Sequence, residues 1–315
     1  MKRYALIILL LFLLPFAACR TSTPESRAQN AADTETVVFT DDLGRELCIS
    51  RPERVAALIG SYADVWCLAG GRDTLAAAAD DTWTSFDLAL DADVVDLGAV
   101  KQPNVELLLA AEPDLILASC NTQADLELMD IFDKAGIPAA YFDVQSFEDY
   151  DNMLKICCEL TGQKDNYDLY AVQVRAQIEE AALRQDGSHP TVLCIRATGS
   201  GCKAKGSRDN LLGGMLADLG CVNIADSSDT LLEDLSLEAI AKADPDYIFV
   251  VLQGSDPSDA QAVLTQTLLT NKAWQQLTAV REDRLFYLEH ELYNLKPNAR
   301  WGAAYEKLAD ILYQN

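Results

Sequence analysis

At 315 residues the chain has room for about two domains of roughly 150 residues each, and 50% apolar with 23% charged side chains excludes a disordered protein. Its 49 acids outnumber 25 bases, leaving a formal charge of -24 that repels phosphate backbones and removes nucleic acid from the expected partners. Only two histidines are present, His189 and His290, too few for the His-rich cage of a dedicated zinc or manganese carrier.

The chain opens with Lys2 and Arg3, an apolar run from Ala5 to Leu14, and small residues before Cys19, the layout of an export signal over residues 1–19. That run is too short to span a bilayer, and no later stretch reaches the roughly 18 to 20 apolar residues a span requires. Phe16-Ala17-Ala18-Cys19 has the form of a bacterial lipobox, with Phe16 where Leu is usual, and makes Cys19 the expected lipidation site; an ordinary cut near Ala18 is the alternative. Residues 20–36 combine Ser, Thr, Pro and charge without apolar periodicity, as a flexible tether does. The expected product is exported and held at the outer face of the cell membrane by its lipid alone. Of the eight other cysteines, most lie in apolar segments, where a free thiol packs as a small hydrophobe; whether some form bridges stays open.

From Val37 the pattern VVFTDDLGRELCI predicts a hairpin turning at Asp-Asp-Leu-Gly. Short apolar runs at 54–60, 114–119, 139–144, 191–197, 247–252 and 284–288 then alternate with helical stretches, which predicts an α/β fold with parallel sheets. PNVELLLAAEPDLIL (103–117) recurs as LSLEAIAKADPDYIF (235–249): a Glu opens a helix, Pro-Asp ends it, and a buried strand follows. A weaker echo pairs DVWCLAGG with MLADLGC, helices ending on Gly70 and Gly220. Between the copies, 164–187 has helical composition for about five to six turns. The expected organisation is therefore a lobe over 37–163, a connecting helix over 164–187 and a second lobe over 188–315, with a ligand cleft between Rossmann-like lobes.

The lipobox, the duplicated Glu/Pro-Asp motif, the long middle helix and the ending NARWGAAYEKLADILYQN together make the chain resemble the ABC-transporter substrate-binding lipoproteins for iron siderophores, haem and cobalamin. The resemblance implies two lobes joined by one helix, a ligand between them, and a permease with its ATPase as partners. It also implies that one Glu on each lobe docks onto permease arginines; the matching residues are Glu106 and Glu238. Two separated carboxylates at helix starts, where the macrodipole favours them, would set a two-point electrostatic register for docking.

Ligand candidates follow from charge and position. RATGSGCKAKGSR (196–208) carries Arg196, Lys203, Lys205 and Arg208 with no acid, inside an acidic chain, and is expected as a basic loop on the cleft wall. Tyr293, Lys296, Arg300 and Trp301 form a second aromatic and basic group, Trp301 also being a core candidate. Ser61, Tyr62, Trp83 and Asn121 follow strand ends in the first lobe, whereas Trp66 reads as core. His290 is a candidate axial ligand for iron or cobalt. No resident cofactor is expected; the bound molecule would be an anionic iron chelate, haem or a corrinoid. G-x-S-x-G, phosphate-loop and H-E-x-x-H motifs are absent from the sequence, so an exported hydrolase is the lesser alternative, beside a surface adhesin. The expected protein is a monomer that performs no chemistry.

Overall fold

The computed structural model describes residues 36–313 apart from Asp87, Asp209 and Ser255; the signal segment, Cys19 and all of the tether except Thr36 lie outside the described residues. Strands β1 (Thr36–Thr40) and β2 (Glu46–Ser50) form the antiparallel hairpin, turning over Asp41–Arg45. The Asp41 carboxylate ties that turn by accepting from the Leu43 and Arg45 amides and pairing with the Arg45 guanidinium at 2.6 Å.

Two five-stranded sheets follow. The first contains β3 (Val55–Ala57), β4 (Leu75–Ala78), β5 (Val95–Asp96), β6 (Leu115–Ser119) and β7 (Ala139–Phe142), all parallel, in the order β5-β4-β3-β6-β7. The second contains β8 (Thr191–Thr198), β9 (Gly201–Lys205), β10 (Val222–Asn223), β11 (Tyr247–Leu252) and β12 (Leu285–Leu288). Its parallel order is β10-β8-β11-β12, and β9 folds back antiparallel on β8. The fold is thus α/β with two parallel sheets. Every side chain of β6 is buried, as expected for a central parallel strand covered on both faces.

All six apolar runs read from the sequence form strands. Four strands escape that reading. β4 is LAAA, without a β-branched or aromatic residue, β5 and β10 are two residues long, and β9 is the polar GCKAK. The last matters most: the basic segment expected as a loop is a β-hairpin.

The duplicated motif occupies the same place in both sheets. The helices Val105–Ala110 and Leu237–Ala243 are capped by Asn104 and Ser236, whose side chains accept from the amides of Leu107 and Ala239. The glutamates sit two residues past these caps, so the caps rather than the glutamates satisfy the first-turn amides. Both helices stop at a non-glycine residue in the left-handed region, Glu112 (φ +48°) and Asp244 (φ +43°). The Asp of each Pro-Asp then ties its strand to the sheet's opening strand. Asp114 accepts from the Glu53 and Arg54 amides ahead of β3, and Asp246 accepts from the amide and hydroxyl of Thr191 at the start of β8.

The weaker echo also has a common geometry. The helices Gly60–Leu68 and Leu211–Asp218 each end with a left-handed glycine, Gly70 (φ +86°) and Gly220 (φ +80°). The next amides, Gly71 and Cys221, reach back to the carbonyls of Trp66 and Leu216, closing a Schellman motif in each case.

Residues 164–182 run as one helical stretch with a π-helical turn at Asp168–Val172, and the stretch ends ahead of Gly187. It packs against the last helix, Trp301–Leu312, so closely that a Cβ on Gly302 would lie 2.1 Å from the Gln177 side chain. Asn298, before that helix, donates to the Ser61 carbonyl at 2.9 Å and to Asp64 at 2.8 Å, joining the C-terminal segment to the first sheet's leading helix.

Candidate functional site

Parallel α/β sheets offer ligands the loops and helix starts beyond the C-terminal ends of their strands. In the second sheet that region is built by the β8–β9 hairpin. Its register sets Arg196 directly opposite Lys203 and Cys194 opposite Lys205. Alternation along each strand therefore brings Arg196, Lys203 and Lys205 to one face. Among the described residues, no acid lies within ion-pair distance of any of the three, although the chain is strongly acidic. Burial pushes the Arg196 guanidinium below its ordinary pKa; burial, then Arg196 and Lys203, push Lys205 down. Like charges directly across a strand pair repel, so the hairpin carries an electrostatic cost that an anion would relieve. Arg196 and Lys205 line a small cavity with Asn210, Tyr293 and Asn294. Arg208, just past β9, is exposed.

The corresponding rim of the first sheet has the opposite sign and is hydrogen-bonded. Beyond β6 and β7, the Asn121 amide donates to Asp143, which also accepts from Gln145 Nε2 at 3.0 Å. The Asp143 amide donates to Asp42, whose carboxyl is raised by burial and by its neighbours Asp149, Asp143 and Asp41. Asn121 also borders an open hollow of about 450 Å³ with Val100, Lys101 and Gln123. Trp83, on the short helix Asp81–Ser85, is 40% exposed, whereas Trp66, Trp274 and Trp301 are fully buried. Lys296 feels the first rim through charge: burial lowers its pKa, while Asp143 and Asp149 raise it.

Three residues expected at the ligand surface belong to the core instead. Tyr62 is buried and its hydroxyl donates to the Phe142 carbonyl at 2.8 Å. Tyr293 is buried, with its hydroxyl committed to the Ala304 carbonyl at 3.0 Å. Ser61 is buried too, its carbonyl held by Asn298. Each follows a strand end in sequence, but the following helix turns it inward, where tyrosines bury area and find carbonyl partners. Arg300 is exposed at the start of the last helix and acts on Asp64 through its charge. His290 lies with Nε2 3.0 Å from the Asn294 amide nitrogen, and burial lowers its pKa. Among the described residues, no group of three or more His, Cys, Asp or Glu side chains could hold a metal ion. The eight described cysteines are free thiols.

Two acids behind the first rim, Asp81 half-buried and Asp125 buried, were not legible in the sequence. Asp81 accepts from the Gly60 amide at the start of the leading helix, and burial raises its carboxyl to about 6. Asp125 accepts from the Ser119 amide at the end of β6, and burial raises it to about 7. Each carboxylate shapes a loop through a backbone amide, a role set by tertiary position and not by local motif.

Glu106 and Glu238 are both exposed, one on each duplicated helix.

Comparison with known proteins places this geometry. The Fe(3+)-citrate-binding protein YfmC of Bacillus subtilis is 23% identical over 295 residues, 91% of this chain and 89% of the relative. The high-affinity heme uptake system protein IsdE of Staphylococcus aureus is 23% identical over 230 residues, 71% of this chain and 76% of the relative. The solved iron uptake ABC transporter substrate-binding protein PiuA of Streptococcus pneumoniae superposes with a TM-score of 0.69 at 21% identity, covering 88% of this chain and 97% of that one. The model of the periplasmic binding protein family matches residues 55–292, a span that includes both parallel sheets, and the chain belongs to that family.

Proposed function

We propose that the chain is the substrate-binding component of an ABC importer, taking up an anionic iron complex or a related tetrapyrrole between its two lobes and passing it to a permease. The observation that carries this reading is the cationic face of the β8–β9 hairpin, Arg196, Lys203 and Lys205, without an acid partner among the described residues, at the strand ends of a molecule with a formal charge of -24. Charge-assisted hydrogen bonds from a guanidinium and two ammonium groups suit the carboxylates of a ferric chelate, the propionates of haem or a corrinoid phosphate. The names of the relatives, a ferric citrate binder and a haem uptake protein, support the same chemistry. Arg208 and Lys296 extend the cationic field, while Asn121, Trp83 and Arg300 face the ligand from the other side of the gap.

On this reading the chain is a receptor without catalytic groups. It works as an exported monomer whose membrane contact is the lipid on Cys19. Ligand bridging favours the closed arrangement of the lobes, and the permease recognises that arrangement through Glu106 and Glu238, with transport energy from its ATPase.

The test is a side-by-side titration with ferric citrate, a ferric siderophore, haem and cobalamin, followed by tryptophan quenching. Trp83 is the exposed indole and the expected reporter. Saturable quenching by one ligand class, weakened by added salt, is the expected result. Silence with all four would overturn the reading.

A further inference from the structure

The duplicated motif contains its own control for what the fold requires. On a helix advancing 100° per residue, the positions opposite a buried residue are those two before it and two after it, and its immediate neighbours border that outer face. In the first copy the buried residue is Leu108. Glu106 and Ala110 then form the centre of the outer face, with Leu107 along one border and Leu109 along the other. In the second copy the buried residue is Ile240, the centre is Glu238 with Lys242, and the borders are Ala239 and Ala241.

The leucines are 42% and 36% exposed. The fold does not need them there. The sister helix has the same type of cap, an equally buried central residue, the same left-handed stop and the same Pro-Asp tie, with alanine at both border positions. Alanine is also the better helix former, so the leucines cost apolar exposure without a local return.

We propose that Glu106 and its two flanking leucines form an apolar-framed docking seat for the importer's permease, whereas Glu238 makes a contact through charge alone. The inference rests on the docking role given above to the two glutamates. The partner chemistry is a cationic side chain of the permease surrounded by apolar residues. Glu106 would meet the cation while Leu107 and Leu109 exclude water around the pair, as the apolar ring of a protein interface does. A framed seat on one lobe and an unframed one on the other makes the two docking points non-equivalent.

The test measures association of the full chain with its permease–ATPase complex in nanodiscs at 0.1 M and 1 M NaCl, ligand present. The variant L107A/L109A gives the first copy the border of the second. It is expected to bind about tenfold or more weakly at both salt concentrations, since apolar burial is insensitive to screening. E106Q is expected to lose a similar factor at 0.1 M and much less at 1 M. L107M/L109M keeps apolar bulk and should bind as the unmodified chain does, which separates a lost surface from a lost fold. Unchanged binding of L107A/L109A beside weakened binding of E106Q would overturn the leucine seat and leave the docking role standing. Unchanged binding of E106Q and of the E106R/E238R double variant would remove the docking role and the seat with it. Leucine-dependent binding to empty nanodiscs, or leucine-dependent dimerisation in sedimentation, with permease affinity intact, would assign the surface to lipid or to a second copy and overturn the proposal.

Discussion

The two sheets share a plan and differ at their rims. Both set a capped helix before a central strand, stop it with a left-handed residue and tie the strand by an Asp to its neighbour. Beyond the strand ends, the first rim is acidic, with Asp143 satisfied by Asn121 and Gln145. The second rim is cationic, and Arg196, Lys203 and Lys205 are without acid partners among the described residues. What repeats is what the fold needs. What differs, and is left uncompensated, marks where the molecule meets something else.

The largest expected effect breaks what the halves share on the outside. The double variant E106R/E238R should abolish uptake of the radiolabelled ligand in cells while ligand affinity by calorimetry stays within about twofold, because like charge opposes docking and neither glutamate lines the ligand surface. Unimpaired uptake would remove both residues from the docking interface.

Next come the shared internal ties. D246A leaves the half-buried amide and hydroxyl of Thr191 without an acceptor and should cost roughly 2 kcal/mol in urea unfolding, whereas D114A frees the amides of exposed residues and should cost about 1 kcal/mol or less. If one tie proves worthless, the halves are less alike energetically than they are in geometry.

The expected signature of Asp125 is a pH dependence. Burial holds its folded pKa near 7, above the ordinary carboxylate value. A raised folded pKa gives stability that is present below the unfolded pKa and is lost as pH rises through the folded one. The stability of the unmodified chain relative to D125N should therefore fall by about 1–2 kcal/mol between pH 6 and pH 8. A constant difference across that range would mean Asp125 is ionised throughout. Smallest is G220A, about 1 kcal/mol in thermal unfolding, because alanine resists the left-handed conformation that closes the Schellman motif.

The repeated plan was largely legible in the sequence. The six apolar runs, the Glu/Pro-Asp echo and the two terminating glycines are local patterns, and local hydrogen bonding carries them into the structure. The rims were less legible. The basic segment stood out by charge, but the alternation that puts Arg196 opposite Lys203 was masked by small and charged residues that lack strand propensity. Tyr62 and Tyr293 lie where a ligand contact was expected, and only tertiary packing reveals that their hydroxyls are committed to the carbonyls of Phe142 and Ala304. Asp81 and Asp125 act on backbone amides far from any motif.

The most direct measurement of the account is calorimetric titration of the best-bound ligand into the unmodified chain, R196Q/K203Q/K205Q and N121A. Losing three charge-assisted contacts should weaken binding about a hundredfold or more and flatten its salt dependence, while N121A changes affinity by less than about threefold. Equal affinity of the triple variant and the unmodified chain would contradict the claim that the cationic face of the second sheet captures the ligand.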